Sequence, residues 1–178
     1  MPDSMDAAPA SPDLRFETVP SNTPHAQVAQ RAYFAEMDAR FNEGFDVSLY
    51  SGKDSGTVTP AEEEEDEFTF PRGAFILAYL PNLPEAAACG AVRILEPGIA
   101  EIKRMWVNPS ARGRRVATRL LVHLEAQCVA LGAHTIRLDT KDVLTEAIAM
   151  YKKYGYYEVP RYNDNPYATH FFEKKVAA

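Results

Sequence analysis

The chain has 178 residues, of which 46% are apolar, 25% charged and 11% aromatic; this excludes a wholly disordered or collagen-like chain and fits one domain, or two small ones. No window holds 18 consecutive apolar residues, so no transmembrane helix is expected, and the start Met1-Pro2-Asp3-Ser4-Met5-Asp6 has neither region of a secretory signal. Two cysteines, Cys89 and Cys128, cannot make a disulfide framework, and no CxxC or His/Cys cluster suggests zinc, so the expectation is a reduced, cytoplasmic, metal-free protein.

Residues 1–13, rich in Pro, Ala, Ser and Asp, read as a flexible tail, and residues 14–178 as one domain. A first strand is expected over Leu14 to Val19. Pro24 opens a long helical pattern running to about Phe45, where Gly44 marks its end. Residues 51–67 read as a mobile acidic loop. They hold turn formers and then Glu62-Glu63-Glu64-Glu65-Asp66-Glu67. Without those six acids, the remaining 19 balance the 19 bases of a chain whose net charge is −6. The run is either a solvated insertion or a long-range lure for a cationic substrate. The run Ala74 to Leu80 is a strand, Pro81-Asn82-Leu83-Pro84 a turn, Ala87 to Leu95 a strand, Pro97-Gly98 a turn, and Ala100 to Val107 a further strand.

After a polar turn, Val116, Leu120, Leu121, Leu124, Cys128 and Leu131 form an amphipathic helix that Gly132 ends. Thr135 to Asp139 alternates as a strand. Thr145 to Tyr154 is a helix capped by Gly155, and Tyr156 to Pro160 and Thr169 to Lys175 are closing strands. The fold class expected is α/β (α+β): a mixed, mostly antiparallel sheet flanked by helices.

No acid lies between Glu101 and Glu125, whereas Lys103, Arg104, Arg112, Arg114, Arg115 and Arg119 do. A basic patch in an acidic protein suggests a small polyanion rather than nucleic acid, which usually wants a basic domain. The arginines fall where a loop enters a helix, and a helix N-terminus offers free N–H groups and partial positive charge to phosphate. Thr118 adds a hydroxyl in the first turn. The loop is neither a Walker sequence nor GxGxxG. A solvated face or a nucleic-acid patch is the alternative reading of these arginines.

The segment Glu101-Ile102-Lys103-Arg104-Met105-Trp106-Val107-Asn108-Pro109, followed by Arg112-Gly113-Arg114-Arg115-Val116-Ala117, resembles the central motif of the GNAT superfamily of acyl-CoA-dependent N-acetyltransferases. That motif runs strand, Val-x-Pro, [RQ]-x-x-G-x-[GA], helix. The resemblance implies that Arg112, Gly113, Arg114, Arg115, Val116 and Ala117 hold the pyrophosphate of acetyl-CoA, and Thr118 joins them as a coenzyme-binding candidate from its place in the helix's first turn. It implies that Met105, Trp106 and Val107 hold the pantetheine arm and acetyl group. The family's central glycine is Arg115 here. Ala147-Ile148-Ala149-Met150-Tyr151-Lys152-Lys153-Tyr154-Gly155-Tyr156 is similar to the family's A-x-x-x-Y-x-x-x-G-[FY] helix. Tyr151 takes the place of the tyrosine that protonates the departing thiolate; core packing is its other reading. The family often has Asn where Leu144 stands. The motifs cover Glu101 to Lys175, and the earlier strand order fits.

Glu101 is the candidate general base, since relatives often use a glutamate of that strand through water. On the first helix, which lines the acceptor pocket in this fold, Glu36 and Arg40 are candidate acceptor-binding residues, or a surface i,i+4 ion pair. Asp164 and His170 lie in the run Asn163-Asp164-Asn165-Pro166-Tyr167-Ala168-Thr169-His170, which resembles that of a bacterial-type small-molecule GNAT subgroup. They could bind or deprotonate an amine, or cap a turn. Neither cysteine has a His/Asp partner, so direct attack without a covalent enzyme intermediate is expected. The acceptor expected is a small polar, cationic primary amine, aminoglycoside-like or a polyamine, which would make antibiotic resistance a candidate role. A protein or peptide amine, or acyl-CoA binding without turnover, are the rivals. The expected partners are acetyl-CoA and the amine, without nucleic acid, membrane or metal; the resemblance allows a homodimer.

Overall fold

The computed structural model describes residues 13–45 and 67–176. The expected tail (apart from Asp13) and residues 51–66 of the acidic loop lie outside the described residues; Glu67, the last acid of the run, is described. Seven strands form one sheet in the order β1-β2-β3-β4-β5-β7-β6. They are β1 (Arg15–Val19), β2 (Gly73–Tyr79), β3 (Ala88–Glu96), β4 (Ile99–Val107), β5 (Thr135–Thr140), β6 (Tyr157–Glu158) and β7 (His170–Lys175). The helices are α1 (Pro24–Arg40), α2 (Val116–Ala130) and α3 (Thr145–Lys153). The sheet is mixed: every neighbouring pair is antiparallel except β4 with β5.

That parallel pair decides where a ligand can enter. β4 and β5 stay in register only over Ile99–Glu101 and Thr135–Arg137. Beyond them the strands part, and among the described residues the second half of β4 has no ladder partner on that side. A bulge marks the same place. Lys103 faces Ala91 and Trp106 faces Cys89, so Arg104 and Met105 together oppose Gly90. Arg104 sits at φ 55°, the left-handed conformation in which a bulge re-aims the chain.

The apolar pattern of α2 buries Val116, Leu120, Leu121, Leu124 and Cys128 at 2% exposure or less. This stripe packs on Ile76, Val92, Ile102, Ile136 and Leu138 from one face of the sheet. The other face carries α1, whose Ala26 and Ala29 approach Phe75, Leu77, Cys89 and Trp106. Gly73 admits no side chain: a Cβ there would lie 2.2 Å from the Glu67 carbonyl oxygen and 2.3 Å from that of Val92.

α1 ends at Arg40, short of Phe45. Phe41 is already extended (φ −84°, ψ 130°). The reason is long-range packing: Phe41 and Phe45 turn onto Tyr167, with ring centroids 5.6 and 5.0 Å away.

Candidate active site

Two cavities open where β4 and β5 part. The larger, about 470 Å³, runs between α1, the end of β4, the N-terminus of α2 and α3. Met105, Trp106, Val107, Arg112, Gly113, Arg115, Val116, Ala117 and Thr118 all line it. Of the expected coenzyme residues, only Arg114 does not.

Local chemistry shapes the loop. The Asn108 carboxamide accepts from Ser110 N (3.0 Å) and donates to the Ala86 carbonyl (3.3 Å), which turns the chain out of β4. Gly113 and Arg115 both have positive φ, 79° and 58°. The family's glycine position therefore keeps its left-handed backbone with an arginine in it. Arg115 is the N-cap of α2, and its side chain makes no cap hydrogen bond. By helix geometry the first N–H groups of α2 have no acceptor within the helix, and the residues that carry them, Val116, Ala117 and Thr118, line the cavity.

The smaller cavity, about 90 Å³, lies on the other side of Met105 and Tyr151. α1 contributes Tyr33, Phe34 and Met37 to it, and the end of β5 contributes Asp139, Thr140 and Lys141. Met105 and Tyr151 line both cavities. The Tyr151 hydroxyl donates to Met105 Sδ at 3.7 Å. Burial, with the charges of Asp139 and Glu146, pushes the Tyr151 phenol well above its usual range. Burial and Asp139 do the same to Tyr33. Both phenols stay protonated at neutral pH and can donate a proton.

Residues 36–156 match the family described as the acetyltransferase (GNAT) family. The chain belongs to the GNAT family. A 69-residue stretch is 41% identical to the IAA acetyltransferase of Azospirillum brasilense, covering 38% of this chain and 45% of that protein. The chain thus matches less than half the length of this curated relative. A GNAT-family acetyltransferase from Staphylococcus aureus shares the fold at a TM-score of 0.73 and 16% identity, over 91% of this chain and 98% of that one. An Elizabethkingia anophelis GNAT acetyltransferase, solved with acetyl-CoA bound, superposes at a TM-score of 0.61 and 14% identity, over 93% and 99% of the two chains.

In this GNAT chain the other expected residues fall in different places. Glu36 and Arg40 line the larger cavity rather than the smaller. They do not form the i,i+4 pair: Glu36 pairs with Arg112 of the motif loop, and Arg40 pairs with Glu146 of α3. Glu101 is fully buried and lines neither cavity. Its carboxylate accepts from Arg93 Nε (2.9 Å), the Tyr162 hydroxyl (2.6 Å) and Asn163 Nδ2 (3.3 Å). Asp164 is exposed, while its neighbours Asn163 and Asn165 turn inward to the Asp139 carboxylate. His170 faces Glu158, Nδ1 to Oε1 3.0 Å, outside both cavities.

Asp139 is the acid that sequence reading missed. It lies 8% exposed at the carboxyl end of β5, held by Lys103 Nζ at 3.3 Å. A signal existed, since ligands in open α/β sheets gather at the carboxyl ends of strands. Cys89 and Cys128 are buried, and burial raises both thiols to about 12. Among the described residues, no group of three or more His, Cys, Asp or Glu could hold a metal, and no helix is long and apolar enough to cross a membrane.

Proposed function

We propose that the protein transfers the acetyl group of acetyl-CoA to a primary amine of a small acceptor by direct attack. The observation that carries this reading is the junction: one tyrosine, Tyr151, lines both the motif-loop cavity and the smaller cavity. Acetyl-CoA fits the larger cavity, with its pyrophosphate at the N–H groups of Val116, Ala117 and Thr118 and its charge met by Arg112 and Arg115. Helix amides and guanidinium groups suit a diphosphate. The pantetheine arm then runs along Met105 to Val107, whose outer backbone edge the splay leaves without a strand neighbour.

At the junction the amine nitrogen bonds to the acetyl carbon, and the carbon–sulfur bond breaks. Tyr151 supplies the proton that the departing sulfur takes, and its raised pKa keeps that proton available. Asp139 holds the incoming ammonium and takes, directly or through water, the proton whose loss frees the nitrogen lone pair; the second proton, shed after attack, passes to solvent, from which Tyr151 regains its own. Asp139 takes the base role first expected of Glu101, because Asp139 lines the smaller cavity and Glu101 lines neither. Neither buried thiol serves as a nucleophile, because a thiol with a pKa near 12 holds almost no thiolate at neutral pH.

The test is thiol release from acetyl-CoA across a panel of amino acids, monoamines, polyamines, aminoglycosides and short peptides. Release that depends on one acceptor class supports the proposal. No release with any acceptor, together with no binding of acetyl-CoA by calorimetry, overturns it.

A further inference from the structure

We infer that the acceptor is a zwitterion: a small amino carboxylic acid whose ammonium meets Asp139 and whose carboxylate meets Lys141. This rests on the acetyl-transfer reading and narrows it. Asp139 and Lys141 stand two residues apart where β5 ends, and both line the smaller cavity. A negative and a positive group on the wall of one small cavity match the two charges of an amino acid, which are opposite in sign and separated by a short carbon bridge.

The rest of the wall agrees. Among the described lining residues, Asp139 is the one carboxylate, against Lys103, Arg104 and Lys141. Lys103 is engaged by Asp139 and by Glu101 at 3.6 Å. Arg104 donates to the Gln30 carboxamide. Lys141 Nζ donates to Glu43 Oε1 at 2.6 Å and lies 5.2 Å from the centre of the Phe41 ring. Glu43 is about half exposed, so an incoming carboxylate can take its place and return it to water. Phe34, Phe41 and Tyr167 give the cavity an apolar side for the acceptor's own side chain.

A dication fits poorly, because its second charge would face Lys141. The small volume also disfavours an aminoglycoside.

The test pairs each amino acid with its decarboxylated amine, phenylalanine with phenethylamine and serine with ethanolamine, and adds spermidine. Each is assayed by thiol release with the wild-type chain, Lys141→Met and Lys141→Arg. The expected result is a preference of at least about tenfold in kcat/KM for the amino acid of a pair, as losing a charge-assisted contact would give. Lys141→Met should shrink that gap by raising KM for the amino acids alone, and Lys141→Arg should restore it. Amines or spermidine matching the amino acids would overturn the zwitterion and leave acetyl transfer standing, as would equal losses for both members of a pair in Lys141→Met. Absence of turnover with every acceptor overturns the zwitterion as well, and acetyl-CoA binding in the same samples decides whether the transfer reading falls with it.

Discussion

Asp139 and Glu101 show how two buried carboxylates on neighbouring strands acquire different capacities. Glu101 accepts from a guanidinium, a phenol and a carboxamide, and is sealed from both cavities. Asp139 keeps a face on the smaller cavity. Asp139→Asn preserves the shape but removes the charge, and general-base contributions are about 10²–10⁴-fold. The variant should lose about 10²-fold or more in kcat/KM for the amine, with little change in acetyl-CoA affinity. Steady-state kinetics with each substrate varied in turn checks both halves. Tyr151 also sets a pH expectation. Its pKa is raised, so the phenol stays protonated to higher pH than a free tyrosine, whose value is about 10. The profile of kcat/KM should rise as the acceptor amine loses its proton. It should show no descending limb from Tyr151 below about pH 10; a fall between pH 8 and 9 would assign the acid role elsewhere.

Elements respond differently to the same substitution, and the glycines make the contrast measurable. Gly113 has φ 79° with open space around the missing Cβ. Gly113→Ala therefore adds backbone strain alone, about 1–2 kcal/mol, or roughly 2–8 °C in Tm for a chain of this size. Gly73→Ala drives a Cβ into two carbonyl oxygens where β2 begins, and nothing soft can yield. It should lower Tm far more than Gly113→Ala, or prevent soluble folding, and thermal melts of the two variants side by side check the order. The same contrast explains what was legible in the sequence. The loop Arg112–Thr118 is local, so its motif could be read directly, and the left-handed backbone at Arg115 agrees with the glycine it replaces. The apolar stripe of α2 and the alternation in β5 were legible for the same reason. The acceptor side was not, because β5 pairing with β7 is what brings Asn163 and Asn165 over Asp139. Arg93 holds Glu101 across the β3–β4 hairpin and Tyr162 holds it from 61 residues away, and Phe45 leaves the helical pattern where Tyr167 is there to pack against. Composition and spacing carry none of these pairings.

For the whole molecule, charge and ligand linkage are the terms to measure. The chain is acidic overall at −6, yet it presents Arg112 and Arg115 at the mouth of the larger cavity. Ion pairs from α1 cross that cavity, Glu36 to Arg112 and Arg40 to Glu146. Both are partly exposed, so each contributes little to stability by itself, about 0–1 kcal/mol. Attraction of a polyanion to this rim is screened by salt over about 8–10 Å near physiological ionic strength. The KM for acetyl-CoA should therefore rise between 50 and 500 mM salt (roughly one Debye length shrinking to half or less), while kcat stays level. Saturating acetyl-CoA should also stabilise the fold. At about 100 times its Kd, linkage gives about 2.7 kcal/mol, or roughly 5–11 °C in Tm.

The most direct test of the junction between the cavities is the acetyl-CoA turnover of Tyr151→Phe, measured beside its acetyl-CoA affinity by calorimetry. The phenyl ring keeps the ring contacts with Tyr156 (edge-on) and Phe172 (tilted), at centroid distances of 5.8 and 6.2 Å, and the substitution removes only the hydroxyl. A fall in kcat of about 10²-fold or more with unchanged affinity is the result predicted. An unchanged kcat would contradict the proposal that Tyr151 protonates the departing thiolate.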